Sequence, residues 1–335
     1  MKNKPSITHV ILTGGVGSRL WPLSRKSQPK QYLELFDKKS LFEMTVDRNR
    51  TIADTVMVVG NIDNCHLSKK VLEKSNISYI DIVESTPRNT AAAIAFAAFA
   101  SDPHAILIVT PSDHIIDDME AYETAIQEAV AKASQGYIVT FGIIPTKPET
   151  GYGYIERKGD DVISFREKPN QVTAKDFITK GNFLWNSGMF CFKAGVFLEE
   201  LKVFKPEIYE KSKIAWENNI DGVLDLALSL QIPSISIDYA VMEQSKKIKV
   251  VSSKFAWSDL GSFESVYDYL VSTGHPVDEN GNMVIGTDNY TAFVGLKNTI
   301  FVYTETANLI LHKDSSQDVK NLYNELEREN PDLLD

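Results

Sequence analysis

The chain has 335 residues, 43% of them hydrophobic, and a formal net charge of −10. That is enough apolar material for a sizeable core, in one large domain plus a smaller one. The acidic balance argues against a general binder of nucleic acid or of an anionic membrane, yet a local basic cradle can still hold a small anionic substrate.

Two cysteines, Cys65 and Cys191, lie far apart and offer neither a disulfide framework nor zinc spacing. They read as free thiols in a reducing cytoplasm. The charged Met1–Pro5 stretch is followed by only a short apolar run, which reads as a first strand and not as a signal peptide. The longest apolar run, Ala91 to Ala100, is too short to span a bilayer.

The first predicted strand, Thr8–Leu12, leads into Thr13-Gly14-Gly15-Val-Gly17-Ser-Arg19-Leu-Trp-Pro-Leu-Ser-Arg25, then Pro29-Lys30-Gln31. Glycine lets successive N–H groups converge on an anion, and Arg19, Arg25 and Lys30 add positive charge, so the stretch reads as a polyphosphate cradle. Such glycines also simply close tight turns. Leu20 stands where a dinucleotide fingerprint needs glycine, and no Gly-Lys pair exists to form a Walker A loop.

Further strands are predicted at Thr55–Val59, Tyr79–Val83, Ala105–Thr110 and Tyr137–Ile143, with helical segments between them. The alternation predicts an α/β fold: a Rossmann-like mixed, mostly parallel sheet flanked by helices. Ligands on such sheets bind beyond the carboxyl ends of strands, where the Gly-rich loop and Pro111-Ser-Asp113-His114 both fall.

Glu84-Ser-Thr-Pro-Arg88-Asn89-Thr90 precedes the alanine-rich run, which predicts a buried helix starting near Asn89 and Thr90. Those two residues suit both a helix cap and a ligand contact. Met119–Gln135 predicts an amphipathic helix with Tyr122, Ile126, Ala129, Val130 and Ala133 on one side and Gly136 after its end. Leu198–Leu230 reads as mostly helical.

Asp113 at a strand end, and Asp259 in Ala256-Trp-Ser-Asp-Leu-Gly-Ser262, suit a hard cation such as Mg²⁺, although an aspartate also caps helices. Glu167-Lys168 within Phe165-Arg-Glu-Lys-Pro169, taken alone, is an ordinary solvated pair. Asn186 in Asn-Ser-Gly-Met-Phe190 offers a donor and an acceptor for a pair of hydroxyls, or marks a turn. His114 receives no role.

From about Asp278 the texture turns to short strands: Gly281–Gly286, Thr291–Gly295, Thr299–Tyr303 and Asn308–His312. Ser315 is the expected cap of a last helix with Val319, Leu322, Tyr323 and Leu326 on one face. The expected division is residues 1–275 and 276–335, the second a small β domain closed by a helix, for which a left-handed β-helix is one available form. No chemistry is visible in it.

These motifs, in this order from Val10 to Ser262, resemble those of the sugar-1-phosphate nucleotidylyltransferases, and most closely the mannose-1-phosphate guanylyltransferase branch. Ser85 and Ala92 depart from prolines in the usual pattern. The resemblance implies transfer of GMP from GTP to mannose 1-phosphate in the cytoplasm, giving GDP-mannose. It implies catalytic roles for Arg19, Lys30 and Asp113. Nucleotide contacts would come from Gly14, Gly15, Gly17, Arg88, Asn89 and Thr90. Sugar-phosphate contacts would come from Gly153, Glu167, Lys168, Asn186 and Glu243. Asp113 and Asp259 would hold Mg²⁺. Neither nucleic acid nor membrane is an expected partner, and the C-terminal region would serve assembly as a homodimer. The same chemistry on another nucleotide and sugar pair stays open, as does a silent nucleotide-sugar-sensing subunit. A nicotinamide-dependent dehydrogenase is disfavoured by Leu20.

Overall fold

A computed structural model describes residues 5–34 and 39–335. Met1–Lys4, which entered the reading of the N-terminus, lie outside the described residues. No helix among the described residues is long and apolar enough to cross a membrane.

The chain forms two compact units that do not follow its linear order. Among the described residues, one comprises 5–14, 46–112 and 116–257; the other comprises 15–34, 39–45, 113–115 and 258–335.

The first unit is built on a nine-stranded sheet among its described residues. Its strands are β1 (Ile7–Leu12), β2 (Thr55–Asn61), β3 (Tyr79–Glu84), β4 (Ile106–Pro111), β5 (Ile138–Ile143), β6 (Tyr154–Lys158), β7 (Asp161–Arg166), β8 (Phe183–Lys193) and β9 (Ile248–Ser253). The order across the sheet is β3-β2-β1-β4-β8-β5-β9-β7-β6. β3, β2, β1 and β4 are mutually parallel, as are β5 and β9, whereas β8 and β7 run against their neighbours. The predicted strands appear with ends moved by one or two residues.

β4 shows why the central strands read as continuous apolar runs. Leu107 and Val109 pack into one core, while Ile106 and Ile108 pack into the other. Both faces are covered by helices, so no polar alternation survives. On the first face lie α1 (Asn89–Phe99), α3 (Ala194–Phe204) and α4 (Pro206–Glu217). On the second lies α2 (Met119–Ser134), with Tyr122, Ile126, Ala129 and Ala133 buried and Val130 half-buried. α1 is apolar all round because it is buried all round: Ala91 to Ala98 lie in its core. Cys191 is buried and Cys65 half-buried, and both are free thiols.

The second unit has its own core, formed by Leu20, Trp21, Leu260, Phe263, Met283, Ile300, Val319 and their neighbours. A small sheet β10 (Met283–Ile285), β11 (Thr299–Tyr303) and β12 (Asn308–His312) pairs β10 with β11 in parallel and β11 with β12 as a hairpin. Helices α5 (Phe263–Ser272) and α6 (Val319–Glu329) accompany it. Two expectations are corrected here. Thr291–Gly295 forms no strand: no residue of the run is buried, Val294 is 91% exposed, and Gly295 turns the chain at φ 73°. Ser315 caps nothing, since it lies inside a 3₁₀ turn (Lys313–Asp318) that runs directly into α6.

Candidate active site

The residues after β1 and after β4, two adjacent parallel strands, enter the second unit and meet the turn that precedes α5. Together they line a cavity of about 500 Å³, with Gly15, Gly17, Arg19, Lys30, Asp113 and Asp259 among its walls.

The loop is shaped by local constraints. Gly17 has φ 79°, and a Cβ built there would lie 2.5 Å from Lys30 Cβ. Only glycine meets both demands. Ser24 Oγ donates to the Gly17 carbonyl at 2.6 Å, and Lys30 N–H donates to the Val16 carbonyl at 3.1 Å. The loop is thereby pinned to the 3₁₀ turn Lys30–Tyr32 that carries the lysine.

Lys30 is buried, with its Nζ 2.8 Å from Asp113 Oδ2 and donating to the Asp259 carbonyl. His114 Nε2 lies 3.7 Å from Asp113 Oδ1. Burial opposes ionisation of Asp113, but the Lys30 ammonium and the His114 ring together hold its carboxyl below the usual range. His114, left without a role above, is thus part of the carboxylate's surroundings.

Asp259 is positioned from its C-terminal side. Its Oδ1 accepts the Gly261 N–H at 2.9 Å. Leu260 takes φ 43°, an uncommon value for leucine, with its side chain wholly buried in the unit's core. Ser262 and Ser265 form a reciprocal cap at the start of α5.

Arg25 does not join the cradle. Its guanidinium donates to the carbonyls of Pro22 and Asp335 and to the hydroxyls of Thr304 and Thr306. Sequence reasoning missed the cavity's other walls, which include Lys26, Lys320, Tyr323 and Glu327.

Gly14 lies in the first unit and is exposed. In that unit the structure gathers the other candidates. Asn186 Nδ2 donates to Asp238 Oδ1 at 2.9 Å, and Asn186 N–H donates to the Gly153 carbonyl at 2.8 Å. Gly153 would place a Cβ 3.7 Å from Asn186 Cβ. Burial raises the Asp238 carboxyl above its usual range, with Glu167 adding to the effect. Burial likewise raises Glu243, helped by Asp238 and Glu167. Glu167 and Lys168 form an exposed pair at 3.5 Å. Asp238, which sequence reasoning passed over in favour of Glu243, opens a π-helical turn (Asp238–Met242), an uncommon form that often marks functional positions.

Asn89 and Thr90 do not cap α1 conventionally. The cap position is Arg88, whose Nε donates to the Ile232 carbonyl at 2.6 Å. Thr90 Oγ1 accepts the Ile237 N–H at 2.9 Å, which ties α1 to the segment entering Asp238. Asn89 is exposed at φ 67°, with Oδ1 accepting the Thr90 N–H.

Comparison with known proteins gives these residues a family context. Residues 8–274 match the nucleotidyl transferase family, and residues 276–326 match the mannose-phosphate isomerase/GMP-like β-helix domain. The chain is 38% identical to the alginate biosynthesis protein AlgA of Pseudomonas aeruginosa, over 95% of this chain and 72% of that protein. It is 37% identical to the mannose-1-phosphate guanylyltransferase RfbM of Salmonella typhimurium, over 96% of this chain and 73% of that protein. Among solved structures, one described as a mannose-1-phosphate geranyltransferase from Thermus thermophilus aligns with a TM-score of 0.82 at 28% identity, covering 96% of this chain and 99% of its own. One described as a mannose-6-phosphate isomerase from Helicobacter pylori aligns with a TM-score of 0.68 at 40% identity, covering 76% of this chain and 99% of its own.

Proteins of the nucleotidyl transferase family typically use a divalent metal. The donor set here fits one. Asp113 and Asp259 supply hard carboxylate oxygens to one cavity. No group of three or more His, Cys, Asp or Glu among the described residues is placed to hold a metal, so phosphate oxygens and water would complete the shell.

Proposed function

Since the chain belongs to the nucleotidyl transferase family, we propose that it transfers GMP from GTP to mannose 1-phosphate, giving GDP-mannose and pyrophosphate. The observation that carries this reading is the joint placement of the Gly15–Gly17 loop, Arg19, Lys30, Asp113 and Asp259 around one cavity. A phosphate oxygen of the sugar phosphate attacks the α-phosphorus of GTP. A new O–P bond forms, and the bond from the α-phosphorus to the β-bridging oxygen breaks, releasing pyrophosphate. The nucleophile is already anionic near neutral pH, because the second phosphate pKa is about 6. No general base is required, and the demands are positioning and charge neutralisation.

Arg19 steadies the triphosphate and the leaving pyrophosphate. Lys30, held by Asp113, meets charge developing at the α-phosphate. The loop N–H groups of Gly14, Gly15 and Gly17 cradle phosphate. Arg88, Asn89 and Thr90 shape the nucleotide contacts. Gly153, Glu167, Lys168, Asn186 and Glu243, with Asp238, form the sugar-phosphate side. Asp113 and Asp259 would hold Mg²⁺, which supplies Lewis-acid stabilisation of the phosphates when bound. We assign the catalytic division to residues 1–275 and an assembly role as a homodimer to 276–335, and place the protein in the cytoplasm.

The test is pyrophosphate release by purified protein with Mg²⁺, across four nucleoside triphosphates and several sugar 1-phosphates. Selective turnover of GTP with mannose 1-phosphate, abolished by EDTA, is the expected result. Turnover with another pair would keep the chemistry and replace the substrate. Nucleotide-sugar binding without turnover would point to a sensing subunit. Incubation with mannose 6-phosphate alone tests the isomerisation named for the H. pylori protein.

A further inference from the structure

One side of α6 carries chemistry that its reading as a closing helix leaves unused. Lys320, Tyr323 and Glu327 stand at i, i+3 and i+7, which stacks them along one side of the helix. All three line the cavity that holds the Gly-rich loop. Packing fixes this placement. Leu20 and Trp21 share a core with Val319, Tyr323 and Leu326. Trp21 Nε1 donates to the Leu333 carbonyl at 2.9 Å, and Lys26 N–H donates to the Leu334 carbonyl at 2.8 Å.

The charges in the cavity are unevenly satisfied. Four cations line it, Arg19, Lys26, Lys30 and Lys320, against three carboxylates. Lys30 pairs with Asp113, and Lys26 pairs with Glu327 at 3.5 Å in a half-exposed contact. The side chains of Arg19 and Lys320 have no hydrogen-bond or ion-pair partner among the described residues. Cations gathered in one concavity without carboxylate partners favour a multiply charged anion, and lysine serves phosphate as a mobile point charge. The cavity's volume of about 500 Å³ accommodates an extended polyphosphate.

We propose that Lys320 and Lys26 hold the distal phosphates of the nucleoside triphosphate and the pyrophosphate derived from it, so that α6 is part of the substrate site. Lys26 exchanges Glu327 for phosphate when the anion binds. This inference rests on the nucleotidyl-transfer reading. It places substrate contacts beyond residue 274, where the match to the transferase family ends.

The experiment measures binding of inorganic pyrophosphate with Mg²⁺ to the full chain by calorimetry, alongside KM and kcat for both substrates. Lys320 is exposed, so its variants are expected to fold. Lys320→Ala should weaken pyrophosphate binding about tenfold, the effect of one charge-assisted contact. Lys320→Glu should weaken it further, and Lys320→Arg should restore most of the loss. Glu327→Gln, which frees Lys26, should tighten binding. KM for the triphosphate should follow the pyrophosphate affinity, while KM for the sugar phosphate stays unchanged. Pyrophosphate binding by folded Lys320→Glu equal to that of the parent overturns the proposal, as does a parent chain that binds no pyrophosphate. Lys320-dependent pyrophosphate binding without turnover of any substrate pair sustains the anion site and defeats the transfer reading. Turnover that is indifferent to Lys320 does the reverse.

Discussion

Lys30 Nζ stands 2.8 Å from Asp113 Oδ2 on a residue that is only 4% exposed, and the same ammonium donates to the Asp259 carbonyl. One lysine therefore sets the spacing of the two segments that carry the candidate metal ligands. Lys30→Ala and Asp113→Asn are each expected to lower turnover by about 10²–10³, the usual loss when one charge-stabilising group is removed. Because the two side chains act as a pair, the double variant should lose much less than the product of the single losses. Steady-state kinetics on the three variants checks this, and near-parental turnover in either single variant would reject its role.

Gly17 and Gly136 both have positive φ, but their surroundings differ. A Cβ at Gly17 meets Lys30 Cβ at 2.5 Å, while a Cβ at Gly136 meets nothing within 4 Å. Gly136→Ala should cost only the backbone strain, about 1–2 kcal/mol, with turnover unchanged. Gly17→Ala should displace Lys30 and lower turnover at least tenfold, about 1.4 kcal/mol in the barrier. Thermal unfolding and kinetics on both variants separate strain from displacement.

Asn186 joins the Asp238 carboxylate and the Gly153 backbone. Asn186→Ala leaves Asp238 without its side-chain donor. The expected result is a rise in KM for the sugar phosphate of about tenfold, from the loss of charge-assisted and hydroxyl contacts, with KM for the triphosphate nearly unchanged. Equal changes in both KM values would remove Asn186 from the sugar side.

Two buried groups in the first unit should bend stability with pH in opposite directions. Burial, assisted by the Arg48 charge, lowers the His9 imidazole from 6.5 to about 3. The unfolded chain binds that proton first, so this contribution is present above pH 6.5 and is lost as pH falls towards 3. Burial raises the Glu84 carboxyl from 4.5 to about 7, against a hydrogen bond from the Arg88 N–H. The native state keeps that proton, so this contribution is present below pH 4.5 and is lost as pH rises through 7. Between pH 7.5 and 5 each is worth about 2 kcal/mol. His9→Gln should lose less stability than the parent over that interval, and Glu84→Gln should lose more. Urea denaturation at the two pH values reads both slopes.

Local chemistry already specified much of this molecule. Central strands such as Ile106–Pro111 are buried on both faces, so their unbroken apolar character was visible in the residues alone. The alanine run of α1 and the apolar stripe of α2 were legible for the same reason: burial imposes a pattern along the chain. The glycines and cations around Gly15–Lys30 predicted a phosphate cradle, and folding brings Gly15, Gly17, Arg19 and Lys30 to the wall of one cavity. Arg25 misled, because a cation's partner is a matter of three dimensions. Thr291–Gly295 misled because strand propensity without a pairing neighbour makes no strand.

The family, the α/β architecture and the residue types available for phosphate and sugar chemistry were thus written in the linear order, since they follow from short-range patterns and ordered motifs. Which residues keep company was settled by folding alone. Gly15–Gly17, Asp113, Asp259 and α6 belong to one unit although they are spread along more than three hundred residues of chain. Nothing in the sequence singled out Lys320 or Glu327 on that closing helix. A shared hydrophobic core with Leu20 and Trp21 brings that helix to the cavity, and such non-local packing leaves no periodic trace in the residues that depend on it.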